Sequence, residues 1–313
     1  MIEAAPSVQS TFIRRLFYRD SELRAGWRLM IFLAMVIGLT SAGNLVLSHF
    51  LPDANSVPRF VVREIMDFVI FLIASAIMGR FERRSIGDYG LPRRGMFGVQ
   101  FWQGIGLGFG AITVLLLGMR SFGVFHFQGI ALRGVDIWKW ALIYAFLFVL
   151  VGLREEFRSR GYGLFTLSAG IGFWPAAIVS SALFGFGHRG NSGEDWIGLF
   201  NVGLFGMLAC LLLRRTGNLW MPIGIHTAFD WGETYFYGVA DSGQTLPGHL
   251  LNSSSNGTAW LSGGSVGPEG SVLCTALLVI LILVCAALFP QVRYPNFRAR
   301  ERLSSEAVTV APC

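Results

Sequence analysis

The chain of 313 residues is 53% hydrophobic and 14% charged, with a mean hydropathy of +0.55. This composition excludes an ordinary soluble globular domain and predicts a polytopic membrane protein. The net charge of +6 does not indicate a nucleic-acid partner, because the arginines lie in short segments between apolar runs and not along one amphipathic surface. The four cysteines form no CxxC pair, so we expect neither a disulfide nor a thiolate metal site.

Apolar runs recur along the chain, and each is long enough to cross a hydrocarbon layer of about 30 Å. They predict an all-α fold, a polytopic membrane helix bundle of about eight transmembrane helices. Glycine is frequent in the third run, which favours close approach of a neighbouring helix. The predicted spans are 26–50, 60–78, 98–119, 138 to a glutamate pair at 155 and 156, 173–187, 196–213, 219–239 and 272–289.

Neither an internal repeat nor a second domain is visible in the sequence. The charges of the loops indicate the orientation of the chain in the membrane. Lys and Arg accumulate on the cytoplasmic side of membrane proteins, and here alternate loops are basic, including the segment 154–160, so both termini should be cytoplasmic. The segment 241–269 has no Lys or Arg and is rich in Gly and Ser, which predicts a flexible outer loop. The predicted divisions are an N-terminal cytoplasmic segment (1–25), N-terminal transmembrane helices (26–135), a helical core (136–240), the outer loop (241–271), and the last transmembrane helix with a basic cytoplasmic tail (272–313).

Two adjacent carboxylates, Glu155 and Glu156, follow the apolar run 141–151. An ionisable group at the edge of a spanning helix is costly, so such groups usually face a protein interior or a wet cavity and mark a functional site. Glu156 and Arg160 are four residues apart and share a helix face, whereas Glu155 points about 100° away. Taken alone, Glu156 and Arg160 are equally well explained as a charge clamp at the helix end. Glu155 is then the carboxylate available to another helix.

Three further polar residues, His188, His226 and Asp230, interrupt the later apolar runs. His226 and Asp230 are four apart and lie on one helix face. A chain reversal near Ile171 would place Glu155 level with His188, whereas the same counting leaves His226 about three turns away, so a tilt, kink or re-entrant segment must close that gap. Taken alone, His188 is equally well explained as an interfacial polar residue, and Asp230 as a group that only holds His226.

The chain contains the motifs Glu155-Glu156-x-x-x-Arg160, Phe184-x-x-x-His188 and His226-x-x-x-Asp230. In order and spacing these motifs resemble those of the CAAX-protease and bacteriocin-processing intramembrane peptidases, also called CPBP or ABI proteins. The resemblance covers residues 138–239, and GPEGS at 267–271 resembles the family's outer loop. One position departs from the family: the third motif usually ends in asparagine, and the aspartate found here donates no hydrogen bond unless it is protonated.

The resemblance implies hydrolysis of a peptide bond within the membrane, with Glu155 as the base that activates water. It also implies that His188 helps to hold this water, and that His226 and Asp230 act on the scissile carbonyl. Glu156 and Arg160 would orient the site. The predicted catalytic residues are therefore Glu155, Glu156, Arg160, His188, His226 and Asp230.

The resemblance leaves the role of a metal open. Glu155, His188 and His226 form a predicted set of three ligands for zinc or another divalent ion, with a fourth position for water. The HExxH motif is absent, however, and a metal-free glutamate mechanism is also argued for the family.

The expected partners are a peptide or protein substrate and the lipid bilayer, with no nucleic acid, and the expected location is the inner membrane of a bacterium. Two other classes of function are consistent with the residues. Buried Asp, Glu and His side chains are typical of an ion- or proton-coupled transporter, although no inverted repeat supports that class. A non-catalytic immunity or interaction protein on the same scaffold is the other class, and the intact motif set argues against it.

Overall fold

The computed structural model describes residues 16–19, 22–53 and 57–295. The described chain is mostly helical, in agreement with the predicted helix bundle. Its α-helices are α1 (Ala25–Phe50), α2 (Val57–Glu82), α3 (Val99–Ser121), α4 (Val135–Arg160), α5 (Tyr162–Ile171), α6 (Phe173–Gly187), α7 (Trp196–Thr216), α8 (Trp220–Trp231), α9 (Ala259–Ser262) and α10 (Val272–Leu288). Short 3-10 segments lie at Ile86–Tyr89 and Pro268–Gly270, and a π-helical turn at Gly232–Tyr237 follows α8.

Among the described helices, four segments are long and apolar enough to cross a membrane: α1, α3, α4 continued by α5, and α7. The shorter helices α6 and α10 are also apolar. The chain is therefore an integral membrane protein, and the count of eight spans remains a prediction. Every predicted span does contain a helix, but α2 carries Arg63, Glu64 and Asp67, and α8 is only 12 residues long.

Local sequence signals set several helix ends. The side chain of Asp195 caps α7 by accepting hydrogen bonds from the N–H groups of Ile197 and Gly198, at 2.9 and 3.0 Å. Ser271 caps α10 in the same way, accepting from the N–H of Cys274 at 3.1 Å. The chain reverses at Gly172, whose φ of 88° favours glycine, between α5 and α6. The chain reversal predicted near Ile171 is thus found at the next residue, because α5 extends to Ile171.

Helix α8 lies at the centre of the bundle, and every residue from Trp220 to Asp230 is buried. Helix α3 runs parallel to it, and the two backbones touch where Gly104 and Gly108 of α3 face Gly224 and Ile225. The glycine-rich third span thus forms the close helix contact that its composition indicated.

Helix α4 packs against the opposite side of α8 in the antiparallel sense. A Cβ at Gly152 of α4 would lie only 3.0 Å from the Thr227 hydroxyl and 3.1 Å from the Ile223 carbonyl oxygen. The hydroxyl of Thr227 also faces the Phe148 carbonyl at 3.3 Å. This direct contact brings the glutamate pair of α4 beside the polar residues of α8.

The outer loop differs from the flexible segment that its composition predicts. Strand β4 (Leu251–Ser255) pairs antiparallel with β3 (Phe125–Ile130), the strand that precedes α4. The buried side chain of Asn201 on α7 donates to the carbonyls of Glu269 and Ser271, at 2.7 and 2.8 Å. The loop is therefore folded onto the helices. Composition missed this because both contacts join residues far apart in the chain.

The N-terminal segment and the basic tail lie largely outside the described residues. Within the described part, a small antiparallel pair of strands, β1 (Tyr18–Arg19) and β2 (Glu22–Leu23), precedes α1. After α10, the N–H groups of Arg293 and Tyr294 both donate to the Arg214 carbonyl at 3.0 Å. The segment 154–160, treated above as a basic loop, is instead the last part of α4, where Arg154 and Arg160 are paired inside the protein and Arg158 is exposed.

Candidate active site

A cavity of about 230 Å³ lies between helices α2, α4, α6, α7, α8 and α10 and is bordered by the outer loop. Glu155, His188, His226 and Asp230 line it, together with apolar side chains from the same helices. Glu156 and Arg160 lie directly behind the lining, with side chains that are 0% exposed. The structure thus brings all six predicted site residues together.

The Glu155 carboxylate occupies the middle of this group. Its Oε2 atom lies 3.9 Å from His188 Nε2 and 3.6 Å from His226 Nε2, distances too long for direct hydrogen bonds. Its other oxygen, Oε1, accepts a hydrogen bond from Arg154 Nη2 at 2.5 Å. One carboxylate oxygen is therefore held, and the other faces two imidazoles across a gap.

His188 caps the C-terminal end of α6, and its ring orientation is set by Phe184. Nδ1 lies 2.8 Å from the Phe184 carbonyl oxygen, which only accepts, so Nδ1 carries the hydrogen. The other ring nitrogen, Nε2, then faces Glu155. The Arg160 guanidinium stacks on the ring of Phe184, with Cζ 4.4 Å from the ring centroid, and fixes this residue from the other side.

His226 is held by Glu156 across the α4–α8 contact. Nδ1 of His226 lies 2.9 Å from Glu156 Oε1, which also accepts from Arg160 Nη1 at 2.9 Å. The carboxylate fixes the histidine ring so that Nε2 faces the cavity, where Asp230 Oδ2 lies 3.5 Å away. Arg160 and Glu156 therefore set the directions of both histidines, one through Phe184 and one directly.

The sequence reasoning missed Glu64, a buried residue of α2 with a side chain that is 0% exposed. Its carboxylate pairs with Arg154 Nε, and Arg154 in turn holds Glu155. This chain of charges connects α2 to the cavity. Glu64 interrupts an apolar run, so the rule that selected Glu155 would also have selected it.

A second group that the sequence reasoning missed lies on the outer side of Asp230. Asp241 and Glu269 of the outer loop line the cavity, and Glu233 lies behind them in the π-helical turn. Burial, and then the neighbouring Asp241 carboxylate, raise the pKa of Glu269 to about 8, although its hydrogen bond from Ser242 N–H acts in the opposite direction. The sequence did carry a signal for this group: four acidic residues lie within 230–269, and this stretch contains no Lys or Arg.

The predicted metal ligands Glu155, His188 and His226 fit zinc in kind but not in arrangement. Ligands of one tetrahedral zinc lie about 3.3 Å apart, whereas the donor atoms of these three side chains do not all lie within 4.8 Å of one another. Among the described His, Cys, Asp and Glu side chains, one group does have its donor atoms within 4.8 Å of one another. It consists of Asp230, Glu233 and Asp241 and contains no histidine. Arg154 also already holds Oε1 of Glu155, which leaves only Oε2 of this carboxylate facing the two histidines.

Residues 136–232 match the family model for the type II CAAX prenyl endopeptidase Rce1-like proteins. Comparisons with curated proteins and with solved structures give no match. The matched segment runs from the start of α4 to the end of α8 and contains all six predicted site residues. This family comprises proteases, and membership in it implies an intramembrane protease. The chain accordingly carries, at residues 136–232, a domain of the Rce1-like type II CAAX prenyl endopeptidase family.

Proposed function

We propose that the chain is an intramembrane endopeptidase in which Glu155 activates a water molecule to hydrolyse a peptide bond of a membrane-associated peptide or protein. One observation carries this proposal. The free oxygen of Glu155 faces the Nε2 atoms of His188 and His226 within a cavity of about 230 Å³, at 3.9 and 3.6 Å. Separations of this size accommodate a bridging molecule better than a direct contact.

In the proposed first step, water lies between Glu155 and His188. A water that donates one hydrogen to each of two acceptors at about 2.8 Å holds them about 4.4 Å apart, and the observed separation of 3.9 Å is close to this value. His188 Nε2 accepts one hydrogen because its Nδ1–H is directed to Phe184. Glu155 Oε2 accepts the other and removes this proton as the water oxygen attacks the scissile carbonyl carbon.

In the same step His226 stabilises the negative charge that develops on the carbonyl oxygen. Flanked by the carboxylates of Glu156 and Asp230, His226 holds a proton on each nitrogen. Nδ1–H donates to Glu156, and Nε2–H donates to the oxyanion. When the tetrahedral intermediate breaks down, the C–N bond is cleaved and Glu155 returns its proton to the leaving amine.

Arg154 and Glu64 would act as positioning residues. Arg154 holds Oε1 of Glu155 at 2.5 Å, so that Oε2 faces the water, and Glu64 holds Arg154 from α2. The mechanism uses groups of the chain alone, because the three predicted zinc ligands are too spread out and one of them is paired with Arg154.

We also propose a location and an orientation from the arginine distribution. The basic segments between apolar runs favour cytoplasmic termini, and the segment 241–269, which has no Lys or Arg, favours the outer side. The proposed location is the inner membrane of a bacterium, and the proposed partner is a peptide or protein substrate within or next to the lipid bilayer.

The test is cleavage by the full chain reconstituted in liposomes and offered a library of membrane-associated peptides. Glu155→Gln keeps the shape of the side chain but removes the base, so we expect a fall in kcat of about 10² to 10⁴. Asp136→Asn is the matched control, because Asp136 is an exposed carboxylate of the same helix outside the cavity.

Two results would contradict the proposal: cleavage by Glu155→Gln at the wild-type rate, or no cleavage of any peptide by wild-type protein. Measured in the same liposomes, a proton or ion flux that Glu155→Gln abolishes would favour the transporter class. Peptide binding without cleavage or flux would favour an interaction protein.

A further inference from the structure

Three carboxylates form a compact group next to His226. One of them, Asp230, also belongs to the predicted catalytic residues, and the other two do not. Asp230 lies at the end of α8, Glu233 in the π-helical turn and Asp241 at the start of the outer loop. One oxygen of each lies within 4.8 Å of one oxygen of both others. The group therefore joins three consecutive parts of the chain.

Glu233 is the carboxylate of this group that is buried without a hydrogen-bond partner. Its side chain is 0% exposed, and neither Oε1 nor Oε2 has a hydrogen-bond partner in the described protein. Burial of a carboxylate without a partner is strongly unfavourable, so a positive charge or a bound proton must accompany it. Since its carboxylate is directed toward Asp230 and Asp241, the missing partner belongs between the three side chains.

The neighbouring charges do not supply this partner. The charged groups that act on Glu233 are Glu269, Asp241 and Asp230, which are all acidic. His226 lies beside Asp230, but its two nitrogens face Glu156 on one side and the Glu155–Asp230 pair on the other. The segment 241–269 contains no Lys or Arg. The countercharge must therefore come from solution.

We propose that Asp230, Glu233 and Asp241 bind a divalent cation of calcium size. Carboxylate oxygens without nitrogen or sulfur donors select hard cations. Ca²⁺ accepts six to eight oxygen ligands in flexible geometry, whereas Mg²⁺ keeps several waters and rarely uses an all-protein cage, so three carboxylates with oxygens within 4.8 Å of one another favour Ca²⁺. The Glu269 carboxylate also lines the cavity, but it lies outside this group of mutually close oxygens and is held by the Ser242 N–H.

The ion would connect the outer loop to α8. Asp241 belongs to the loop, and Thr234 already donates to its Oδ2 at 3.1 Å, whereas Asp230 belongs to the helix that carries His226. Binding would therefore stabilise the folded loop over the cavity and fix the position of Asp230. The site is separate from the predicted zinc ligands, because it contains neither histidine and does not use Glu155.

The test is binding of CaCl₂, MgCl₂, MnCl₂ and ZnCl₂ to the purified full chain in detergent, after treatment with EGTA. We expect one Ca²⁺ per chain by equilibrium dialysis, weaker binding of Mg²⁺, and an increase in Tm with Ca²⁺. Glu233→Gln should weaken Ca²⁺ binding at least tenfold, because it removes one of three charged ligands.

Two control variants separate this site from other carboxylates. Asp136→Asn removes an exposed carboxylate of α4 and should leave Ca²⁺ binding unchanged. His188→Ala removes a predicted zinc ligand and should also leave it unchanged. Neither readout requires peptide cleavage, so the cation site and the protease activity are tested independently.

Wild-type protein that binds none of the four ions would overturn the inference and would leave shared protons as the partner of Glu233. Ca²⁺ binding of equal affinity in wild type and Glu233→Gln would overturn it as well. If Glu233→Gln does not fold, Asp241→Asn, a substitution in the loop, takes its place with the same expected loss.

Discussion

His226 Nδ1 and Glu156 Oε1 lie 2.9 Å apart across the α4–α8 contact, and the same oxygen accepts from Arg160. The three side chains therefore form one buried unit in which a structural charge pair also orients a proposed catalytic ring. Structure and catalysis can be separated at this unit, because apolar residues can replace a charge pair but cannot accept a hydrogen bond from an imidazole.

We expect Glu156→Leu to reduce the free energy of unfolding by about 3 to 5 kcal/mol, because it leaves Arg160 buried without its partner. The double variant Glu156→Leu/Arg160→Met should recover most of this loss, since the pair is then replaced by packed apolar groups. Peptide cleavage should remain low in both, because His226 Nδ1 has lost its acceptor. Thermal unfolding in detergent and the liposome cleavage assay measure the two effects. A double variant that cleaves at the wild-type rate would show that Glu156 and Arg160 are only a charge clamp.

The contact between α3 and α8 predicts opposite effects of two alanine substitutions. Gly108→Ala places a methyl group against the backbone of Ile225 and should destabilise the protein by about 1 to 3 kcal/mol. Gly110 lies two residues away on the same helix and has open space around it. Gly110→Ala should therefore leave the free energy of unfolding unchanged or raise it by up to about 1 kcal/mol, because alanine has the higher helix propensity. Thermal unfolding of the two variants checks this comparison. Equal effects would contradict the assigned helix contact.

Asp230 occupies the position where the family motif usually has asparagine. We expect Asp230→Asn to keep kcat within about tenfold of wild type, because an amide can donate to the oxyanion beside His226. Asp230→Leu provides neither donor nor acceptor and should reduce kcat by about 10². Steady-state cleavage kinetics on one peptide would separate these effects on kcat from effects on KM. Similar activity of wild type and Asp230→Leu would exclude Asp230 from the reaction.

Chelators should distinguish a catalytic zinc from the proposed cation site. Since Glu155, His188 and His226 are too spread out for one zinc and Arg154 pairs with Glu155, we expect 1,10-phenanthroline to leave peptide cleavage unchanged. EGTA should instead lower Tm, and excess CaCl₂ should restore it. Loss of cleavage with phenanthroline that ZnCl₂ reverses would favour the metalloprotease mechanism over the one proposed here.

Much of the helical fold could be predicted from the sequence because apolar runs end at recognisable residues. Helix α6 has the predicted bounds, and α10 ends one residue before the predicted position. The proximity of Glu155 to His188 was also predicted, since one chain reversal connects their helices. These successes depend on contacts between neighbours in sequence.

The position of His226 could not be predicted by the same counting. The counting assumed that α4 reaches α8 through α6 and α7, whereas Gly152 allows α4 to pack directly against α8. The folded outer loop was missed for a related reason, since its strand pairs with a segment that precedes it by more than 100 residues. Glu64 was missed although its burial in an apolar helix follows the rule used for Glu155.

The chain of charges from Glu64 to Glu155 has a practical consequence for protein engineering. A fragment cut at the boundaries of the family match, 136–232, would retain every motif residue but would lose the α2 carboxylate that holds Arg154, the α3 surface against α8, and the loop acids beyond Asp230. Chimeras that exchange this segment between homologues must therefore transfer the matching parts of α2, α3 and the loop with it. Otherwise Arg154, which holds Glu155, loses its partner on α2.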